Sequence, residues 1–343
     1  MKALLNTLFV TRPQAYLALD GENILILEED VVLGRFPLHN FEQITTFGYV
    51  GASPALMKKC AENNIALTFM TRSGRFGARV VGKTKGNVLL RKEQYRISDN
   101  ENACLPIAKH MIFGKLYNAR WLIKRMLRDH RLRLPAPVLE AACDGLRTSA
   151  EAVWSAASLD ILRGIEGNGA SLYFSVWNHL ILNQKDDFCF TERNRRPPLD
   201  NLNCLLSFFY ALLANDVASA LENVGLDPYV GFLHRDRPGR ISLALDLMEE
   251  LRPVLVDRLV LAMVNRKEIS AKGFEQKESG AVLMNDELRR QVLTLWHDYK
   301  EETMIHPFLG EKVKWGLVPH VQALLLARHL RNDIEEYPPF LWK

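Results

Sequence analysis

Cysteine is scarce and forms no obvious pairs: Cys60, Cys104, Cys143, Cys189 and Cys204 are odd in number and contain no C-x-x-C unit. That argues against a zinc ribbon or a disulfide frame and for a reducing compartment. Long apolar runs are also lacking, with no stretch approaching the roughly 20 consecutive apolar residues of a membrane span. The opening MKALLNTLFVTRP has an apolar core too short and too interrupted for a signal peptide, and no small-residue cleavage site follows it. The expected location is cytoplasmic. Charge of one sign is barely in excess, since 44 Lys and Arg stand against 40 Asp and Glu, a net charge of +4. A generic polyanion binder is thereby excluded, and any nucleic-acid role must come from local patches.

What is present divides by period. With 343 residues, 48% of them hydrophobic, the chain is long enough for two domains with sizeable cores. Tyr16 to Leu19 and Asn23 to Leu27 flank Asp20-Gly21, a hairpin signal, and Val31 to Pro37, Ile44 to Phe47 and Ala66 to Met70 are further β-like runs. One helix interrupts them, with Ser53 suited to cap it and Pro54 to its first position. After the polar stretch Ile97 to Ala103 the period becomes about 3.6. Helices are expected at Ile107 to Leu132, Ala136 to Thr148, Glu151 to Trp177 (broken near Gly164, Gly167 and Gly169), Asp200 to Val224, Ser242 to Val264 with a kink at Pro253, Asn285 to Glu302 and Pro319 to Ile334. The expected fold is α+β: a small N-terminal β-rich domain over 1–96, then a larger all-α catalytic domain over 97–343.

Gly77-Ala-Arg-Val-Val-Gly82-Lys83-Thr84 matches the P-loop expression letter for letter. That loop works only between a strand and the helix whose first amides hold the phosphates. Here Ala78 to Val81 is β-prone and Lys85-Gly86-Asn87 reads as a turn, so the segment is a hairpin strand and an ATPase is rejected.

The chemistry-bearing residues are an imidazole and three carboxylates. His234 precedes Asp246, Glu249 follows one turn later on the same helical face, and Glu166 sits upstream among glycines that permit close approach. Oxygen donors suit magnesium or manganese, and an added imidazole tilts such a site toward manganese. Spacing alone leaves Glu250, Asp257 and eight other histidines as competitors. Basic groups cluster as Arg193, Arg195 and Arg196; as Arg235, Arg237 and Arg240; and as Lys124, Arg128 and Arg131 on one helical face. Arginine forks suit phosphate recognition, although a charged helix face is often merely solvated and Arg193 is equally placed to bind a core acid. Tyr210 lies in an apolar helix and reads as packing rather than as a nucleophile.

Several segments then occur in one order: Phe36-Pro37-Leu38, Thr45-Thr46-Phe47-Gly48, Gly164-Ile165-Glu166-Gly167, the run from Arg193 to Asn203, Leu205 to Tyr210, and His234 to Pro253. In these the chain resembles, along nearly its whole length, the CRISPR adaptation integrases, the first-numbered family of Cas proteins. The closing Tyr337-Pro-Pro-Phe-Leu-Trp-Lys is similar to the form attached to type I systems, subtype C. The resemblance implies a β domain followed by a helical domain, with Glu166, His234 and Asp246 as catalytic metal ligands. Glu249 would be a further acid at the site, at a position often held by aspartate in the family. It also implies Mg2+ or Mn2+, transesterification of a DNA 3′-hydroxyl onto a phosphodiester, and cleavage of branched DNA. The implied partners are prespacer and repeat DNA, a second copy of the chain joined through the N-terminal domain, and the small second-numbered Cas protein. Two other functions compete: a structure-specific repair nuclease using the same four residues, and a DNA-binding scaffold without chemistry.

Overall fold

The Gly21 turn, with φ of +58°, closes a hairpin between β2 (Tyr16–Asp20) and β3 (Asn23–Glu28), and Asp20 pairs with Asn23 at its tip. This computed structural model describes residues 7–72, 74–82, 88–194 and 196–343. Strand β4 (Val31–Pro37) adds antiparallel to β3 and ends a sheet ordered β4-β3-β2-β6, with β6 at Gly51–Ala52. A second sheet is ordered β1-β5-β7-β8, from β1 (Thr7–Val10), β5 (Gln43–Phe47), β7 (Ala66–Met70) and β8 (Phe76–Val80). Helix α1 (Pro54–Glu62) starts where Ser53 accepts from the Leu56 amide at 3.2 Å. Its Leu56 and Cys60 join Leu17, Ile24, Ile44 and Leu67 in one apolar core. Gly77 to Val80 of the P-loop-like segment lie in β8, paired antiparallel with β7, whereas Lys83 and Thr84 lie outside the described residues.

The chain forms two compact units: Met1–Lys85 with Met284–Glu302, and Gly86–Leu283 with Thr303–Lys343. Helix α10 (Asp286–Glu301) thus groups with the strands, and the Arg72 guanidinium meets Asp286 at 2.5 Å within that unit. The expected division after residue 96 falls inside α2 (Val88–Ser98), a helix of the second unit.

The second unit is mostly helical, and its helices differ from expectation where capping overrules composition. Helix α3 runs over Glu101–His130 because Asn100 accepts from the amides of Asn102 and Ala103, so the polar stretch before Ile107 is helix rather than linker. Helix α4 (Ala136–Ser155) is followed by α5 (Leu159–Ser175), which Ser158 caps through the Ile161 amide. The break expected at the glycines therefore lies at 156–158, and Gly164, Gly167 and Gly169 are helical. A Cβ at Gly169 would collide with Leu116 of α3, so α3 and α5 approach as closely as a missing side chain allows. After the short α6 (Trp177–Leu180), α7 (Asn201–Val224) begins at its Asp200 cap and ends at left-handed Gly225. Its length and hydropathy would suit a membrane span, but most of it is buried inside the fold.

The helix expected over Ser242 to Val264 is three pieces. Helix α8 (Ser242–Met248) stops before Glu249, Arg252–Asp257 forms a π-helical turn around Pro253, and α9 (Arg258–Asn265) follows. Proline lacks the amide that an unbroken α-helix would use there. Four short strands also lie in the stretch read as all helical: β9 (Phe274–Gln276), β10 (Val282–Met284), β11 (Thr303–Ile305) and β12 (Lys312–Lys314). Helix α11 (Val318–Leu330) precedes a tail stitched into the helical core. Asn118 of α3 donates to the carbonyls of Glu250 and Phe340, both at 2.7 Å, and accepts from the Trp342 amide.

Candidate active site

Lys115 of α3 lies at the centre of the site. Its ammonium touches Glu166 Oε1 of α5 and stands 2.7 Å from Glu249 Oε2, just beyond α8. Arg252 on the π-helical turn meets the other Glu249 oxygen at 3.1 Å. Burial works against charge on Glu249, but Arg252, Lys115 and His234 outweigh it and bring its pKa down to about 2. Burial likewise opposes charge on Lys115, and the carboxylates of Glu249 and Glu166 overcome it, leaving the pKa raised.

His234 is presented by a separate device. Asp246, on α8 and fully buried, accepts at Oδ2 from the amides of Phe232 and Leu233 (2.6 and 2.9 Å). Its Oδ1 accepts from the amide of His234 at 3.0 Å and lies 2.5 Å from the imidazole Nδ1. The loop reaches this close because a Cβ at Gly231 would sit 2.7 Å from Asp246 Oδ2. Arg163, three residues before Glu166, donates to the Leu233 carbonyl from Nε at 3.0 Å and Nη2 at 2.7 Å. The helix carrying Glu166 is thereby tied to the loop carrying His234.

Asp246, expected as a metal ligand, is held here by the loop. Both of its oxygens are occupied by loop amides and the imidazole, the arrangement of a group that positions His234. The other acids separate as clearly. Glu250 turns away to accept from Tyr337 and Gln322 at 2.6 and 2.7 Å, and burial pushes its pKa up to about 8. Asp257 accepts from Tyr210 at 2.6 Å and Tyr173 at 2.9 Å, inside the fold. Glu166, Glu249 and His234 Nε2 remain.

Among the described residues no three His, Cys, Asp or Glu side chains stand as a ready-made metal cage. The remaining donors nonetheless fit a divalent cation. Two carboxylates already hold one positive group between them, and the buried Glu249 Oε2 receives no aligned hydrogen bond. Asp246 occupies Nδ1 of His234, which leaves Nε2 for a ligand.

The model of the family described as CRISPR associated protein Cas1 matches residues 8–298. The chain belongs to the Cas1 family. It is 50% identical over 347 residues to the CRISPR-associated endonuclease Cas1 2 of Rhodospirillum rubrum, covering all of both chains. It is 47% identical over 343 residues to the corresponding Cas1 1 of Chlorobaculum tepidum, again end to end. In fold it superposes on a casposase bound to integration product with a TM-score of 0.85 at 20% identity, over 99% of this chain and 95% of that one.

In this Cas1 chain the basic residues fall into three groups. Arg235 and Arg237 are exposed beside His234, and Arg235 shares Asp160 with Arg163 (3.0 and 2.5 Å); Arg240 is half-buried. Arg193 is bound inside the fold, donating to Asn203 at 2.6 Å and Ser207 at 3.1 Å, so it is a structural group rather than a free phosphate contact. Arg196 is exposed, and Arg195 lies outside the described residues. At the end of α3, Lys124 lies over the Trp121 ring, Arg128 meets Asp129 at 2.8 Å and Arg131 meets Glu140 at 3.1 Å. Lys115, Arg163 and Arg252 were not singled out in the sequence. Only Arg163 and Arg252 carried a signal, each standing three residues from a candidate acid.

Proposed function

We propose that the chain is a divalent-cation-dependent DNA integrase of CRISPR spacer acquisition, attached to a type I, subtype C system. It would join the 3′ end of a prespacer to a phosphodiester at the edge of a repeat, and would also cut branched DNA. One observation carries the reading: Glu166 and Glu249 share a single positive group close to an imidazole with one nitrogen unclaimed. The endonuclease names of its relatives and its fold likeness to a casposase holding an integration product support it.

Glu166, Glu249 and Nε2 of His234 would hold Mg2+ or Mn2+, which supplies Lewis-acid polarisation of the phosphodiester and lowers the pKa of the attacking hydroxyl. The chain's own residues do the remaining work. Asp246 keeps the proton of His234 on Nδ1 and the ring fixed, and Arg163 holds the loop against α5. Exposed Arg235, Arg237 and Arg196 offer forks to backbone phosphates without reading sequence. One bond forms from the 3′ oxygen to phosphorus as the bond to the leaving oxygen breaks, and the proton passes from the first to the second. Since one phosphodiester replaces another, no nucleotide cofactor is needed.

Two attacks at separated phosphates call for two centres, and edge strand β4 offers a surface for a second copy. Its Val31, Val32, Leu33 and Phe36 are 62, 55, 44 and 40% exposed, an apolar edge of the kind that pairs with its twin. The second-numbered Cas protein would bridge such dimers.

A half-site integration assay with labelled prespacer and Mn2+ tests the reading. Glu166→Ala and His234→Ala should each lower product at least 100-fold while circular dichroism and duplex binding stay unchanged. Product at the unmodified level from both would overturn it, and cleavage without joining by the unmodified protein would leave a nuclease.

A further inference from the structure

The cation that Glu166 and Glu249 share is part of the protein. Lys115 reaches them from α3 with 13% of its side chain exposed, and Arg252 satisfies the second oxygen of Glu249. Two half-buried positive groups therefore balance two carboxylates. A divalent ion bonds directly to such oxygens at about 2 Å. An ammonium within hydrogen-bond distance of the same oxygens occupies that space and repels the incoming charge.

The two resident cations are not equivalent. Arg252 is a planar fork, stacked on the Tyr210 ring at 5.1 Å and fixed on the π-helical turn. Lys115 is a point charge on a four-carbon stem with freely rotating donors, which makes it the group able to move. The Glu166 side chain is itself 28% exposed, so the pocket is open to solvent on the side of α5.

We propose that Lys115 is a built-in counter-ion that keeps the pocket closed to divalent cations, and that it must withdraw from Glu166 and Glu249 before one can bind. The proposal rests on the metal-dependent reading above. It makes the apparent cation affinity a difference between two occupants. A displaced ammonium would be left without a partner until a DNA phosphate supplied one, so metal and DNA would bind cooperatively.

Titration of DNA-free protein with Mn2+, followed by electron paramagnetic resonance of the free ion, provides the test. Lys115→Met should bind at least 10-fold more tightly than the unmodified protein, and saturating Mn2+ should raise its melting temperature by more. Tight binding must disappear when Glu166→Ala is added. A second measurement covers the case in which Lys115→Met does not fold. In the unmodified protein, Mg2+ should raise the labelling of Lys115 by an amine-reactive ester several-fold, read by mass spectrometry, and Glu166→Ala should show no rise. Equal or weaker Mn2+ binding by Lys115→Met, or labelling indifferent to Mg2+ in a protein that binds the ion, would overturn the counter-ion role and leave the metal reading standing. Absence of divalent-cation binding by both the unmodified protein and a folded Lys115→Met would overturn both, and the missing signal in the variant distinguishes that case.

Discussion

Replacing Asp246 by alanine would deprive three loop amides and an imidazole of their acceptor at once. Each buried donor left unsatisfied costs about 1–3 kcal/mol, so urea denaturation should show a loss of roughly 3 kcal/mol or more. Glu166→Ala removes a partly exposed carboxylate and should cost far less stability. At Glu250 burial lifts the carboxyl to about 8 from an ordinary 4.5, and at Asp257 to about 6 from 3.8. Between those limits the unfolded chain has released protons that the folded one retains, so each group makes stability fall as pH rises through its window. The slope for a single group approaches about 1.4 kcal/mol per pH unit. Glu249 has the opposite sign, but only below 4.5, where its stabilising charge is lost as pH falls toward about 2. Chemical denaturation from pH 5 to 8 should therefore show declining stability, and Glu250→Gln should flatten the decline. Glu166 and His234 were legible as candidates because they stand in linked motifs. The choice between Asp246 and Glu249 was not, since a spacing of three puts both on one helical face. Glu249 keeps helical backbone angles, and only partners distant in sequence separate the two, Lys115 for Glu249 and the 232–234 loop for Asp246.

Helix packing decides which glycines of α5 are replaceable. A methyl at Gly164 or Gly167 meets no neighbour, and in a helix interior alanine is favoured over glycine by about 1 kcal/mol. Gly164→Ala and Gly167→Ala should raise the melting temperature. Gly169→Ala should lower it, by an amount equivalent to roughly 1–3 kcal/mol, because the methyl drives against buried Leu116 and wedges α5 from α3. The same three glycines explain why the break in the chain was expected in the wrong place. Glycine is read as a helix breaker from its entropy, but here α5 is held by Ser158 and by contact with α3, and tertiary packing overrides propensity. Where local chemistry was decisive, as at the Ser53-Pro54 start of α1 and the Asp20-Gly21 turn, element and position were both legible. The π-helical turn was visible only as a proline, and Lys115 only as one more charge on a long helix. What each does depends on partners distant in sequence.

At the scale of the molecule, the proposed pairing through β4 predicts that Val32→Lys with Leu33→Glu shifts the protein toward monomer in sedimentation equilibrium and leaves the melting temperature within a few degrees. With a net charge of only +4, the proposed DNA affinity would rest on local basic groups such as the arginines around His234. The logarithm of the affinity should then fall linearly with that of salt, and Arg237→Ala should reduce the slope by about 1. The helical unit also joins chain positions that are made at very different times. Asn118, one turn from Lys115, and Glu250, beside Glu249, both bind the tail, and the Asn118 to Phe340 bond spans 222 residues. At translation speeds of about 5–20 residues per second, Asn118 waits roughly 10–45 s for that partner after leaving the ribosome tunnel. The nascent protein thus carries every proposed catalytic side chain well before it carries the tail residues that bond to Asn118 and Glu250.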